Sequence, residues 1–181
     1  MSYPARIDYK NPDAGQLERG GKYILFLRNS HGTSGVILSD SKTELWRFET
    51  RPKRAPSNFL RKPTHFILSD TQQGEILQIT RERGFPARFN IVEKDRVIGK
   101  VTLRTNLRNK YSIEFNGGPG WLFHMRLFTI FFSGESSSAL CVWVRVGPTK
   151  RQWNLLVEPE VDNVYLLGAL AFIHREWWCY S

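Results

Sequence analysis

Arg51, Lys53, Arg54, Arg61 and Lys62 fall within twelve residues that contain no acid. Arginine offers a planar fork for bidentate contact with phosphate, and lysine a compact point charge. Pro52, Pro56 and Pro63 mark the stretch as an irregular connection. Cations on such a loop, carried by a rigid scaffold, suit a polyphosphate; the alternative is a merely solvated loop. A second region, Arg81 to Lys110, holds nine basic and three acidic residues, with Arg81, Arg83 and Arg88 clustered about one turn. The candidate site for an anion or lipid headgroup is therefore Arg51, Lys53, Arg54, Arg61 and Lys62, assisted by Arg81 and Arg83.

Signatures of catalysis are poor by comparison. His31, His65, His124 and His174 stand far apart, without an HExxH spacing or a cysteine partner. His31-Gly32-Thr33-Ser34-Gly35 is not a nucleophile elbow, and Gly117-Gly118-Pro119-Gly120 lacks the lysine and serine of a phosphate loop. Asp40, Glu44, Glu49, Asp70, Glu75 and Glu82 would supply an acid/base pair only if tertiary structure joined them. The expectation is a protein without enzyme activity, metal or cofactor. Cys141 and Cys179 allow one bridge, but two reduced thiols are expected.

Length and charge set the frame. The 181 residues carry 26 basic and 17 acidic side chains, a formal net charge of +9. The chain is long enough for a single domain with a sizeable core. Its composition is globular, and its partner should be anionic: nucleic acid, a phosphoinositide surface or an acidic protein. Met1 to Asn11 lacks an apolar leader, and no run approaches the ~18 apolar residues of a membrane span. Cytoplasmic location, with peripheral membrane contact at most, is the default expectation.

Alternation of apolar and polar residues dominates the chain and predicts strands. It is clear in Lys22 to Arg28, Glu44 to Glu49, Thr64 to Ser69, Glu75 to Thr80, Arg96 to Arg104, Lys110 to Phe115 and Leu140 to Val146. Turn residues separate these runs, so the strands should pair as an antiparallel meander. About eleven strands are expected, too many for an open twisted sheet that neither curls nor closes. Trp121 to Phe132 is apolar on both faces, so it is either a strand buried on both sides or a short helix; its aromatic and β-branched content and flanking glycines favour the strand. At the C-terminus, Asp162 or Asn163 can cap a helix that runs to about Trp178. Val164 to Ile173 is apolar all round the helical wheel, and a helix without a polar face belongs inside a protein. A barrel threaded by its own helix satisfies both facts; a β-sandwich with an outer helix is the alternative.

Gly74-Glu75-Ile76-Leu77-Gln78-Ile79-Thr80-Arg81, Arg88-Phe89-Asn90-Ile91-Val92 and Arg96-Val97-Ile98-Gly99-Lys100-Val101 form repeated modules of strand, basic turn and strand. With the terminal hydrophobic helix, this pattern resembles the tubby C-terminal superfamily, which includes tubby-like, scramblase-like and LURP-one-related proteins. The resemblance spans roughly Ile67 to Trp178. It implies a mainly β fold: a closed antiparallel barrel of about twelve strands around a central hydrophobic helix. It also implies a module over 22–181 behind an N-terminal arm, 1–21. Tubby-like proteins read phosphoinositides with basic residues, and Arg51-Pro52-Lys53-Arg54 is loosely similar to such a stretch. The proline-rich tail, cysteine cluster and acidic calcium segment of scramblases are absent here, so scrambling is not implied.

The leading functional expectation is a non-enzymatic module for anionic lipid headgroups such as phosphoinositides. A scaffold or protein-interaction barrel is the alternative, and nucleic-acid binding or an unrecognised enzyme a third. Single-stranded nucleic acid needs exposed aromatics among the cations. Here the aromatics sit mostly on core-facing positions, which weakens that reading.

Overall fold

The structure, a computed structural model, describes residues 21–52, 64–72, 74–83, 86–104, 110–117, 120–126, 129–134, 140–157 and 163–180. The N-terminal arm, 1–20, and the basic stretch 53–63 lie outside the described residues. The fold is mainly β, with antiparallel strands in one sheet and one C-terminal helix. The strands are β1 (Gly21–Leu27), β2 (Ser34–Ser39), β3 (Glu44–Pro52), β4 (Thr64–Asp70), β5 (Gly74–Arg81) and β6 (Arg88–Glu93). Next come β7 (Arg96–Arg104), β8 (Lys110–Phe115), β9 (Gly120–Arg126), β10 (Thr129–Gly134), β11 (Leu140–Val146) and β12 (Gln152–Val157). Helix α1 (Val164–Tyr180) ends the described chain.

Each strand pairs with its neighbours in sequence, and β1 also pairs with β12 through Gly21↔Val157 to Phe26↔Gln152. Among the described strands β1 thus lies between β2 and β12 in the order of pairing. Inward positions follow the period of two that the sequence shows. Leu25 and Leu27, Phe66 and Leu68, Leu77 and Ile79, Val142 and Val144, and Trp153, Leu155 and Val157 are all buried.

The helix fills the interior. Leu166, Leu167, Ala169, Leu170, Ala171, Phe172 and Ile173 are at most 1% exposed, which covers every side of the wheel. The Phe172 ring meets Phe66 edge-on at 5.6 Å and Phe89 at 4.8 Å. Gly168 allows this closeness: a Cβ there would stand 2.8 Å from Leu77 Cδ2. Asn163 Oδ1 accepts the Leu166 amide at 2.9 Å and caps the first turn, as one of the two expected residues should.

One expectation is corrected. The Trp121 to Phe132 run is not a single strand but two, β9 and β10, paired from Trp121↔Gly134 to Arg126↔Thr129. The sequence between the two strands, Leu127-Phe128, holds no Gly, Pro, Asn or Asp to announce a hairpin. This hidden hairpin is one strand more than the alternation counted. Conversely, Lys94 and Asp95, at φ 45° and 65°, make a tight two-residue turn between β6 and β7 without glycine.

Antiparallel order sends successive connections to alternate ends. The β1–β2, β3–β4, β5–β6, β7–β8, β9–β10 and β11–β12 connections open on one mouth, the others on the opposite one. Tyr165 Oη donates to Glu93 Oε1 at 2.5 Å, which puts the helix start at the β6–β7 end, here the near mouth. Trp178 Nε1 donates to Ser30 O at 3.0 Å, which puts the helix end at the β1–β2 end, the far mouth.

Two measurements check this packing. Leu170→Ala should cost roughly 2–5 kcal/mol in urea unfolding, because the removed methyls leave a cavity lined by barrel and helix. The Cys141 backbone lies at the near-mouth start of β11, while Cys179 lies in the last turn of α1 at the far mouth. A bridge needs Cα atoms within about 7 Å. Thiol titration of unreduced protein in denaturant should therefore count both cysteines as free.

Candidate anion-binding mouth

The alternation of connections sorts the charges. Among the described residues the far-mouth strand ends and turns carry Arg28, Arg51, Arg81, Arg83, Arg88, Arg104, Lys110, Arg126, Arg145, Lys150, Arg151 and Arg175, against Glu49, Glu82 and Glu176. Those of the near mouth carry Lys22, Lys42, Lys94 and Arg96, against Asp40, Glu44, Asp70, Glu75, Glu93, Asp95 and Glu114. Charge is thus separated along the helix axis.

Three of the seven residues expected at the site are described, and all three stand at the far mouth. Arg51, at the end of β3, pairs with Glu49 at 2.5 Å. Both side chains are solvated, so the pair is worth little and leaves the guanidinium open to a stronger anion. Arg81 ends β5 on the same face as Leu77 and Ile79, where the inward row reaches the mouth, and it is half-buried. Arg83, two residues on, is exposed. Arg51 pairs across to His65, and His65 to Thr80, so Arg51 and Arg81 are two strands apart, about 10 Å between backbones. Lys53, Arg54, Arg61 and Lys62 lie outside the described residues. The segment that carries them leaves Pro52 and returns to Thr64, which are paired at this same mouth.

Beside Arg81 and Arg83 the wall holds a polar cluster. Lys100 Nζ donates to Glu82 Oε1 at 3.3 Å. The hydrogen bond from Lys100 holds the Glu82 carboxyl below its ordinary range; Asn90 and the charges of Lys100 and Arg88 help, against a burial effect. Glu82 is therefore a committed anion that neutralises Lys100 and leaves Arg81 and Arg83 without an acid of their own among the described residues.

The opposite side of the mouth was not singled out from sequence. In the β11–β12 turn, Lys150 adopts φ 55°, a left-handed conformation that side chains rarely take. Its ammonium lies 6.0 Å from the Trp177 ring centroid, and the Arg151 guanidinium lies 5.7 Å from that of Trp178. Its carbonyl accepts His174 Nε2–H at 3.0 Å. His174 is fully buried and stacks on Trp153 with ring centroids 4.5 Å apart. Nε2 carries a proton toward the Lys150 carbonyl, and burial favours the neutral ring with its proton there. The available signal was parity: Lys150-Arg151 follows Gly147-Pro148 on the same side of the meander as Arg51 and Arg81. Arg88 belongs to the cluster noted around Arg81 and stands exposed at the start of β6.

Among the described residues no group of His, Cys, Asp and Glu could hold a metal ion. A scan of family models and a search of curated proteins return no match to this chain.

Burial pushes the His174 pKa down from 6.5 to about 4, and the Lys150 carbonyl only partly opposes it. The unfolded chain therefore binds a proton that the folded chain refuses between these values, so stability falls as pH drops through that window. From pH 7 to pH 5 this group alone should remove about 2 kcal/mol. Urea unfolding of wild type and His174→Gln at both pH values checks it: the variant should show the smaller loss.

Proposed function

We propose that the chain is a non-enzymatic, tubby-like barrel closed around its helix, which binds anionic lipid headgroups, phosphoinositides above all, through the far mouth. The observation that supports this reading is that Arg51, Arg81 and Arg83 stand at the same mouth as the two strand ends, Pro52 and Thr64, between which the rest of the first basic stretch runs. The β5–β6 turn delivers Arg81 and Arg83 beside the strand ends from which 53–63 departs and returns. Among the described residues the acids of this mouth are engaged elsewhere: Glu49 with Arg51, Glu82 with Lys100 and Glu176 with Arg175.

Two features favour a membrane surface over the other anions. The wall is apolar inward and polar outward, with Arg47, Lys100, Glu114 and Arg145 facing away from the core. A lipid-spanning barrel has the reverse arrangement, so contact with the bilayer is peripheral. No described helix is long and apolar enough to cross a membrane. Nucleic acid needs exposed rings for stacking, whereas the large hydrophobic residue exposed among those described is Val97, at 39%.

Vesicle sedimentation tests the reading. Vesicles of phosphatidylcholine with phosphatidylinositol bisphosphate should sediment the protein at low salt, and plain phosphatidylcholine should not. Each cation near such a surface contributes ~1 kcal/mol, and the charges are screened over ~8 Å at physiological ionic strength. Binding should therefore weaken steeply with salt. Charge reversal at Lys53, Arg54, Arg61 and Lys62 should abolish it without lowering Tm, and reversal at Lys22 and Lys42 should spare it. Wild-type protein that ignores these vesicles would leave the scaffold reading in its place.

A further inference from the structure

We infer that the barrel stands upright on the anionic surface, far mouth down and helix axis along the surface normal, with Trp178 as the side chain that reaches the lipid interface. This deepens the lipid-binding reading and rests on it.

The first ground is the separation of charge along the axis. Helix α1 has 17 residues, about 25 Å of rise, and its two ends mark the two mouths. That span is about three Debye lengths at physiological salt. Upright, the acids of the near mouth stand beyond the reach of the surface potential, while the far-mouth cations stand within it. Lying on its side, the barrel would bring Asp40, Asp70 and Glu114 of the near mouth to the surface together with the cations, and their repulsion would offset the attraction.

The second ground is independent of that sum. The far mouth carries aromatic side chains as well as cations, on the side opposite Arg81. Trp177 is 6% exposed and stacks on Trp153 at 5.6 Å, so it belongs to the core. Trp178 is half-buried at the mouth, its N–H on Ser30 O and its ring beneath Arg151. An indole with an apolar face and a satisfied polar edge suits the headgroup region. Lys150 is exposed beside it on a strained turn, and strain of this kind clusters where function fixes the backbone. Cations on both sides of the opening, with an indole between them and the helix end, make a flat-footed contact. A contact by the β3–β6 side alone would tilt the barrel and lift Trp178 away.

Quenching of tryptophan emission by brominated phosphatidylcholine in phosphatidylinositol bisphosphate vesicles reads the orientation. Wild type should be quenched, and Trp178→Phe should lose that quenching while still sedimenting. Two inserted reporters cover the case in which Trp178→Phe misfolds. Thr149→Trp, in the exposed β11–β12 turn, should add a quenched tryptophan, and Thr71→Trp, in the exposed β4–β5 turn, an unquenched one. Lys150→Gln with Arg151→Gln should weaken vesicle binding about thirtyfold. Sedimentation with Thr71→Trp quenched, or with neither reporter quenched, would overturn the upright orientation and leave lipid binding intact. Failure to sediment at all would overturn both.

Discussion

Everything in this molecule answers to a helix that has no polar face. Seven consecutive positions from Leu166 to Ile173, Gly168 apart, are apolar and excluded from solvent. Each large apolar side chain among them gains roughly 1.5–3 kcal/mol by leaving water. One flat sheet covers one side of a helix and leaves the rest wet, whereas a ring of strands covers all sides at once. The strands gain equally, because twelve of them with one apolar face each would otherwise have to find a second sheet. Barrel and helix are each other's solvent, and the near contact of Gly168 with Leu68 and Leu77 shows how little space is left between them.

The ring then dictates the surface. Strict antiparallel order gives the chain two mouths and no choice about which connection opens on which. Basic residues placed near every second turn must gather at one end. Part of that excess has a bland use. The C-terminal carbonyls of α1 carry a partial negative charge at the far mouth, and with no basic residue in the last turn, Lys150 and Arg151 over Trp177 and Trp178 are the cations beside it. A helix end accounts for about half a charge, however, and the cations at this mouth outnumber that need several-fold. The surplus on the β3–β6 side, away from the helix end, is what the anion-binding reading draws on.

Much of this was legible in the amino-acid sequence. The period of two named the inward rows, from Leu25 and Leu27 to Val142 and Val144, because one face of each strand is dry. The all-apolar wheel of 164–173 named the helix for the same reason. What escaped had no local signature. The β9–β10 reversal escaped because Leu127-Phe128 looks like strand. Nothing in the sequence marks His174, next to Arg175 and Glu176, as buried, yet it is 0% exposed, because the helix continues past it to Tyr180. The approach of Arg51 to Arg81 and Arg83 is a tertiary fact, since 29 residues lie between Arg51 and Arg81 along the chain but they end strands only two apart in the sheet. The roles of Lys53, Arg54, Arg61 and Lys62 rest on sequence and on where their segment begins and ends.

His174 shows which forces rule at the far mouth. The hydrogen bond to the Lys150 carbonyl favours a protonated imidazole and would push its pKa upward, and burial overrides it. The interior therefore excludes charge more strongly than a single carbonyl attracts it. The same balance explains the placement of the other cations. Lys150 and Arg151 stay over the outer faces of Trp177 and Trp178 rather than moving inward to the helix carbonyls. Cations kept in water at the lip of a dry barrel remain available to an anion that arrives from outside.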